Sequence, residues 1–267
     1  MNLKNKLRIL LFNILGHKNI DGLRYLKFSH KFGKFSKIED KNEFIRKFSK
    51  FYEPEMATIP KILHNPQIII DIGANYGPYS FFFSKLYPKA RIFAFEPATS
   101  SYDILNKIIK RFDLDNVVPV KRGLGEKEEE KEITTPLHYT ILAYISDKKI
   151  KKNKEDNSEE VKVTTLDSFI KRNKIQKIDF IKCDVEGFEL NVFKGARKTL
   201  KKFKPMVFVE IEERHTQKYD TNPDKVIKFF KRFGYGCYSV RNSNIIKTNK
   251  IRREIPLYIF SAKNINL

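Results

Sequence analysis

The sequence predicts an α/β protein with a mostly parallel, doubly wound sheet, an antiparallel C-terminal hairpin and a helical N-terminal extension. Apolar strand patterns alternate with helical patterns from residue 67 onward, which is typical of parallel strands joined by crossover helices. The last two strand patterns have no helix between them, so we expect them to pair as a hairpin. The first 65 residues are basic and rich in Phe, and they lack this alternation.

Length and composition exclude several classes of protein. The chain has 267 residues, of which 41% are hydrophobic, so a sizeable core is expected and a wholly disordered protein is excluded. Two cysteines, Cys183 and Cys237, are too few for a disulfide scaffold, a zinc finger or an iron–sulfur protein. This low cysteine content fits a reducing compartment, so a cytoplasmic protein is expected. No apolar run reaches about 18 residues, so we expect no transmembrane segment.

The charge is strongly positive, because 53 Lys and Arg outweigh 32 Asp and Glu to give +21. Such a surface attracts nucleic acid, anionic lipid or acidic glycan. However, Lys outnumbers Arg by 40 to 13, which indicates the compositional bias of an AT-rich genome, whereas nucleic-acid readers favour Arg at base edges. Compositional bias is therefore the preferred explanation, and nucleic acid is a less favoured partner.

Residues 1–65 are expected to form a basic helical extension to a main domain over residues 66–267. Near the start, Leu3, Leu7 and Ile14 fall close to one helical face, with lysines around them. The apolar run ends without a small-residue cleavage site, which argues against a signal peptide. A helical cap over the main domain is the preferred interpretation, and an amphipathic helix in peripheral contact with a membrane is the alternative.

Seven β-prone runs with apolar patterns are predicted to form strands. They lie at residues 68–71, 91–96, 116–121, 178–184, 206–211, 236–240 and 255–262.

Helix signals follow several of these strands. Pro78 is expected as the first residue of a helix that ends before Pro88. Ser100 and Asp103 resemble a capping box for the next helix.

The later segments are less uniform. One long helix is predicted over residues 189–203, and another opens at Asn222 and closes near Gly234. Residues 122–160 are expected to be irregular and charged, apart from a β-prone stretch over 134–146.

A glycine turn provides the strongest local motif. The segment DIGANYG, residues 71–77, lies between a predicted strand and a predicted helix, and its glycines allow a sharp turn close to a ligand. Glu96 ends the next strand, 25 residues after Asp71. Both belong at the carboxyl edge of the sheet, where ligands bind, and a carboxylate there can hold both hydroxyls of a ribose. The candidate cofactor-binding residues are Asp71, Gly73, Ala74, Asn75, Gly77 and Glu96.

A nucleoside without phosphates fits this pattern best. Asn75 and Pro78 occupy positions where a G-x-G-x-x-G motif has glycines, which argues against NAD or FAD. Asp71 beside the turn suits a cationic ligand, and S-adenosylmethionine has an ammonium, a sulfonium and a ribose but no phosphate. The alternative is a strand–turn–helix corner without a ligand, in which the glycines shape the chain and Glu96 is solvated.

Four segments together form a more specific signature. They are IIIDIGANYGPYSFFFSKLYPKARIFAFEP at 68–97, VTTLDSFI at 163–170, DFIKCDVEGFELNVFKGA at 179–196 and MVFVEIEERH at 206–215. Residues from about 66 to 215 thereby resemble the FkbM family of S-adenosylmethionine-dependent methyltransferases. The first 65 residues and the loop at 147–160 lie outside the resemblance.

The resemblance implies a Rossmann-like class I methyltransferase fold with S-adenosyl-L-methionine as cofactor. It also implies O-methylation of a sugar, glycan or secondary metabolite. It assigns Asp71, Gly73, Asn75, Gly77 and Glu96 to cofactor binding.

A second constellation follows the strand predicted at 178–184. Asp184 ends this strand at the same edge as the glycine turn, and Glu210, Glu212 and His215 lie at or after the end of the next strand. A hydroxyl acceptor loses its proton as the methyl arrives, and a carboxylate or His within reach can assist. We select Asp184, Glu212 and His215 as candidate catalytic residues.

This constellation allows other interpretations. Its oxygens also suit Mg²⁺, but no Asp-Asp pair stands on the fifth strand, so no metal ligands are selected. Glu186 and Glu189 suit the positive end of the following helix, and that role is preferred for Glu189. Cys183 is expected in the core, because strand alternation points it away from Asp184.

The leading hypothesis is therefore an O-methyltransferase acting on a small-molecule or glycan acceptor. An RNA 2′-O-methyltransferase is an alternative, since Lys182 shares a strand face with Asp184. A non-catalytic basic binding protein on the same fold is the second alternative. The chain has no Pro-Pro dipeptide, which argues against an amine on a nucleic-acid base as the acceptor.

Overall fold

The computed structural model describes residues 22–23, 25–135, 144–145, 157–219, 221–252 and 254–265. Strands in these residues are β1 (Ile68–Ile72), β2 (Arg91–Phe95), β3 (Val117–Val120), β4 (Gly123–Leu124), β5 (Glu129–Thr135), β6 (Tyr144–Ile145), β7 (Asn157–Thr164), β8 (Phe180–Cys183), β9 (Met206–Glu210), β10 (Gly236–Arg241), β11 (Asn244–Thr248) and β12 (Leu257–Ser261). All seven predicted strands are present.

Helices alternate with the strands of the main sheet. They are α1 (residues 25–36), α2 (Lys41–Tyr52), α3 (Ile59–Ile62), α4 (Pro78–Leu86), α5 (Thr99–Arg111), α6 (Leu166–Arg172), α7 (Glu189–Lys194), α8 (Arg197–Phe203), α9 (Glu213–Thr216) and α10 (Pro223–Lys231). The predicted helix over 189–203 is two helices, because the chain breaks at Gly195 and Ala196 between α7 and α8.

The large sheet has eight strands in the order β11-β10-β12-β9-β8-β1-β2-β3. Strands β3, β2, β1, β8 and β9 are parallel to one another. Strand β12 is antiparallel to both β9 and β10, which confirms the predicted C-terminal hairpin. The sequence did not indicate β11, a short edge strand that pairs with β10. Strand β1 lies between β2 and β8, so its carboxyl end faces the ends of both.

A second sheet of four strands, in the order β4-β7-β5-β6, corrects the prediction for residues 122–160. Strands β5 and β7 pair antiparallel along their lengths, so the described parts of a region expected to be irregular include paired strands. Ile133, Val161 and Val163 are buried on one face, while charged residues cover the other. The many charged residues in this stretch made the alternation of buried and exposed side chains hard to detect from the sequence. Much of the predicted loop at 147–160 lies outside the described residues.

Two cores cover the two faces of the large sheet. On one face, Phe81, Phe82 and Phe83 of α4 are fully buried. Helices α1 and α2 add Phe32 and Phe48, whose rings lie 4.6 and 5.6 Å from that of Phe81. Burial of each Phe contributes about 1.5–3 kcal/mol, so α1 and α2 are integral to this face.

The expectations for residues 1–21 lie outside the described residues. Within the described parts of the chain, no helix has the length and apolarity needed to cross a membrane.

Helix ends agree with the sequence signals at two places and differ at one. Helix α4 begins at Pro78, and the Asn222 side chain accepts a hydrogen bond from the Lys225 amide at the start of α10. The capping box proposed at Ser100 and Asp103 is wrong, because α5 begins at Thr99 without a side-chain cap of its own. The Thr99 amide donates instead to Glu159 of β7, at 2.8 Å.

Candidate active site

The turn after β1 is held close to the end of β8. Gly73 has a φ of +71°, and a Cβ built on it lies 1.8 Å from the carbonyl oxygen of Asp184. No side chain fits there, so glycine is required by both conformation and space. The Asp184 amide donates to the carbonyl of Ile72 at 3.1 Å. The backbone of the turn and the residue that ends β8 are therefore in direct contact.

The rest of the turn is shaped by the neighbouring elements. The Ala74 amide donates to the carbonyl of Phe95 at 2.9 Å, which ties the turn to the end of β2. Gly77 has a φ of +93°, and a Cβ there lies 2.6 Å from Leu105 Cδ1. The motif DIGANYG thus turns sharply between two strands and enters α4, as the glycines predict.

Glu96 follows β2, and its carboxyl group is hydrogen-bonded to the turn. Its two oxygens accept hydrogen bonds from the amides of Asn75 and Ala98, at 2.8 and 2.9 Å. Burial raises the pKa of Glu96 to about 7, although these two hydrogen bonds oppose the rise. Each carboxylate oxygen offers two lone pairs, so each keeps one for a ligand.

A cleft opens beside this turn, between the large sheet and the second sheet. The empty space in and in front of this cleft, open solvent included, is about 640 Å³. Its polar wall comprises Asn75, Glu96, Arg122, Asp184 and Glu186, and its apolar wall comprises Phe95, Pro97, Leu124, Ile133 and Ile145. Gly73 also lines this cleft, whereas Ala74 and Gly77 do not.

Asp71 does not line the cleft and lies fully buried behind the turn. It accepts a hydrogen bond from the Ser80 hydroxyl at 2.6 Å, and its other oxygen lies 3.6 Å from Lys182 Nζ. Burial raises the pKa of Asp71, and Lys182 and Ser80 oppose this. Of the two acids expected at this edge of the sheet, only Glu96 therefore lines the cleft.

Lys182 of β8 connects the turn to Asp184. Its Nζ donates to the Gly73 carbonyl at 2.9 Å and lies 3.6 Å from Asp184 Oδ2. Lys182 is buried, whereas the Asp184 side chain is 33% exposed. Burial lowers the pKa of Lys182, but the carboxylates of Asp184 and Asp71 outweigh burial and raise it. Burial raises the pKa of Asp184, and Lys182 opposes the rise.

The other candidate catalytic residues lie farther from the cleft. The Nδ1 atom of His215 is 2.9 Å from Glu186 Oε2, so this nearly buried His pairs with a residue of the cleft wall. Glu212 precedes α9 and pairs with Arg214. Neither His215 nor Glu212 lines the cleft.

The neighbouring acid and thiol take the structural roles expected of them. Glu189 accepts hydrogen bonds from the amides of Gly187 and Val185, at 2.9 and 3.4 Å, so it organises the loop before α7. Cys183 is buried in the core on the face opposite Lys182. In the part of the chain that the structure describes, no three His, Cys, Asp or Glu residues are grouped to hold a metal ion.

Sequence analysis missed two residues beside Asp184. The Tyr79 hydroxyl, from the first turn of α4, donates a hydrogen bond to Glu53 at the end of α2. Lys182 Nζ lies 4.9 Å from the centre of the Tyr79 ring. Glu53 and Tyr79 are 26 residues apart in the chain, so no local sequence pattern predicts their contact.

Several known proteins are similar to this chain in sequence. The model of the methyltransferase FkbM domain matches residues 71–237. Methyltransferase sdnD of Sordaria araneosa is 29% identical over 186 residues, 60% of this chain and 70% of the relative. Hexuronic acid methyltransferase AglP of Haloferax volcanii is 28% identical over 145 residues, 54% of this chain and 55% of the relative.

The solved structures that match this chain include the methyltransferase FkbM from Methylobacillus flagellatus KT. It has a TM-score of 0.45 and 16% identity, and the match covers 90% of this chain and 60% of the other. The O-methyltransferase from Bacillus cereus in complex with SAH has a TM-score of 0.44 and 14% identity, with 96% of both chains covered. Since the family model spans more than half of the sequence, the chain belongs to the FkbM family of S-adenosylmethionine-dependent methyltransferases.

Proposed function

We propose that the protein transfers a methyl group from S-adenosylmethionine to a hydroxyl oxygen of a saccharide, glycan or secondary metabolite. The observation that carries this proposal is the contact between the glycine turn and Asp184. It brings a candidate base to the cleft where the cofactor would bind. The hexuronic acid methyltransferase among the relatives supports a saccharide as the acceptor class.

The residues of the cleft fit this cofactor. The free lone pairs of Glu96 suit the two ribose hydroxyls, and Pro97, Leu124 and Ile133 offer an apolar wall to an adenine. Glu96, Asp184 and Glu186 outnumber Arg122 in the cleft, which favours a cationic ligand over a pyrophosphate. Asp71, Ala74 and Gly77 would shape the turn from behind.

The chemistry then depends mainly on positioning. When bound, the cofactor supplies a methyl on a sulfonium sulfur, which is already a good leaving group. Asp184 would orient the acceptor hydroxyl and accept its proton, and its raised pKa makes it a stronger base than an exposed Asp. Lys182 would hold Asp184 against the turn. The pair His215–Glu186 would support the wall of the cleft, and Glu212 would act from farther away.

RNA 2′-O-methylation is a second candidate, because Lys182 lies beside Asp184. The Lys182 ammonium is already engaged by the Gly73 carbonyl and two carboxylates, so the saccharide acceptor is preferred.

The experiment is a transfer assay with methyl-labelled S-adenosylmethionine against separate glycan, small-molecule, lipid and RNA pools. We expect label in the glycan or small-molecule fraction, and none with the Asp184→Asn variant. Label confined to RNA would support the second candidate. Absence of label from every pool, with intact cofactor binding, would contradict turnover and favour a binding protein.

A further inference from the structure

Glu186 lies in the wall of the cleft with a backbone conformation that is uncommon for residues other than glycine. Its φ is +56°, in the left-handed region. Gly187 follows with a φ of +103°, and a Cβ built on it lies 2.3 Å from the carbonyl oxygen of His215. Backbone strain of this kind persists where the surrounding structure enforces it, and it is concentrated at ligand-binding sites. The chain after β8 is therefore bent where the Glu186 side chain joins the cleft wall.

His215 holds one oxygen of the Glu186 carboxylate. Its Nδ1 atom lies 2.9 Å from Oε2 of Glu186, and this oxygen is buried. The Glu186 side chain is 14% exposed, so its exposed part lies away from Oε2, and Oε1 is the oxygen that can meet a ligand. An imidazole with its proton on Nδ1 holds a carboxylate without cancelling its charge.

Two cations on the same segment as this histidine are engaged elsewhere. Arg214 pairs with Glu212, and Lys218 Nζ lies 4.5 Å from the centre of the Tyr144 ring. Glu186 therefore presents a fixed acid to the cleft.

The cofactor has one cationic group for which the cleft residues discussed so far offer no partner, the ammonium of its amino acid. Glu96 suits the ribose. Asp71, whose charge suggested a cationic ligand, lies buried behind the turn, and Asp184 lies 3.6 Å from the Lys182 ammonium. Among the residues that line the cleft, Glu186 is the remaining carboxylate.

The strand order gives Glu186 a suitable distance from Glu96. Glu96 follows β2, Glu186 comes after β8, and β1 lies between these two strands. Neighbouring strands are about 4.8 Å apart, so the ends of β2 and β8 are separated by roughly 10 Å. In S-adenosylmethionine, a flexible chain through the sulfur joins the ribose to the ammonium, and its extended length is comparable to this separation.

We propose that Glu186, held by His215, binds the ammonium group of S-adenosylmethionine and thereby selects a ligand with an intact amino acid. A carboxylate and an ammonium form a charge-assisted hydrogen bond, which is stronger than a neutral one. The cofactor would then be held from both sides of the turn after β1, by Glu96 at the ribose and by Glu186 at the amino acid. This inference deepens the proposed function and rests on it.

The test measures binding and needs no methyl acceptor. Wild type and Glu186→Gln are titrated in a calorimeter with S-adenosylhomocysteine and with the analogue that lacks only its amino group, and the weaker ligand is measured by competition. We expect Glu186→Gln to weaken binding of S-adenosylhomocysteine at least tenfold and to change binding of the analogue by less than threefold, because the two deletions remove the same interaction. Equal factors for the two ligands, or an unchanged affinity for S-adenosylhomocysteine, would overturn the proposal.

The matched control is Glu189→Gln in the same loop, where the carboxylate accepts hydrogen bonds from the amides of Gly187 and Val185. This variant disturbs the loop and keeps the proposed partner of the ammonium, so it should change both affinities by the same factor. A loss confined to S-adenosylhomocysteine in this control would overturn the assignment to Glu186. If Glu186→Gln does not fold, Glu186→Asn replaces it with the same outcomes, since Asn tolerates a positive φ.

Wild-type binding separates this inference from the proposed function. Absence of S-adenosylhomocysteine binding to the wild type would contradict the proposed function, and the inference with it. Normal wild-type binding, together with equal losses for the two ligands in Glu186→Gln, would overturn the inference alone.

Discussion

Lys182 connects three groups of the site through one ammonium. It donates to the Gly73 carbonyl and lies 3.6 Å from both Asp71 and Asp184. Asp71 is fully buried, and a buried carboxylate without a cation is costly. Lys182 therefore positions both the glycine turn and the candidate base, Asp184, although it was selected neither as a cofactor-binding residue nor as a catalytic one.

Replacement of Lys182 by Gln tests this role. We expect a loss of about 3–5 kcal/mol in the free energy of unfolding, because Asp71 loses its buried partner. The control is Lys177→Gln, just before the same strand, where Lys177 pairs with Asp179 at the surface and the loss is about 0–1 kcal/mol. Urea denaturation measures both, and equal losses would mean that the buried pair contributes no more than a surface one.

Asp184→Asn separates chemistry from architecture. Asn keeps the shape and loses the basicity, so we expect turnover to disappear while the affinity for S-adenosylhomocysteine stays within about threefold, roughly 0.6 kcal/mol. Methyl transfer to the acceptor and calorimetry measure the two quantities. Full turnover by this variant would assign Asp184 to architecture, and the proton would then leave through another group or through solvent.

At the scale of elements, the site depends on the close approach of the turn after β1 to the end of β8. The hydrogen bond from Asp184 to Ile72 and the absence of a Cβ at Gly73 make this approach possible. These contacts join β1 and β8, whose ends are more than 100 residues apart in the chain. A small change at either strand end therefore displaces the other.

Gly73→Ala is predicted to force these two elements apart. The new Cβ meets backbone at 1.8 Å and the residue has a positive φ, so we expect a loss of at least about 2 kcal/mol of stability and weaker cofactor binding.

Gly33→Ala is the control for this change. Gly33 lies in α1 without a positive φ, and its Cβ would make only an ordinary contact with Phe112 at 3.9 Å. Since Ala favours a helix over Gly by about 0.5–1 kcal/mol, this variant should be slightly more stable than wild type. Denaturation curves compare the two, and a stable Gly73→Ala variant would contradict the close approach.

The sequence predicted those strands, turns and helices whose formation depends on residues close together in the chain. The strand–turn–helix around Gly73 follows from apolar runs, glycines and Pro78, and it is present as expected. The second sheet was missed because the charged face of β5 and β7 hides the buried residues Val161 and Val163. The contact of Glu53 with Tyr79 depends on how α2 packs on α4, which no stretch of sequence encodes by itself. The catalytic and cofactor roles of individual residues stay predictions.

At the scale of the whole molecule, several buried or partly buried Glu side chains have a higher pKa in the folded state than the ordinary value of 4.5. Burial raises the pKa of Glu53, Glu96 and Glu189 to about 7 and that of Glu210 to about 10. The folded state therefore binds more protons than the unfolded state between these values and 4.5. Stability consequently falls as pH rises through this range.

We expect the free energy of unfolding to decrease from pH 5 to pH 9, most steeply up to about pH 7. Glu210→Gln mimics the protonated acid, so it should flatten the decrease at the alkaline end. The exposed Glu130→Gln on β5 is the control and should leave the curve unchanged. Urea denaturation at each pH gives the curve, and a stability that rises over this range would contradict the burial of these acids.

The measurement that tests the central claim most directly is a calorimetric titration of the protein with S-adenosylhomocysteine and with NAD, repeated on Glu96→Ala. We expect saturable one-to-one binding of S-adenosylhomocysteine and no binding of NAD. Glu96→Ala should weaken binding by roughly tenfold to a hundredfold or more, since hydrogen bonds to a charged group contribute about 1.5–3 kcal/mol each. Glu130→Ala serves as the control and should bind like wild type. Tight binding of NAD without binding of S-adenosylhomocysteine, or a Glu96→Ala variant that folds and binds like wild type, would contradict the account.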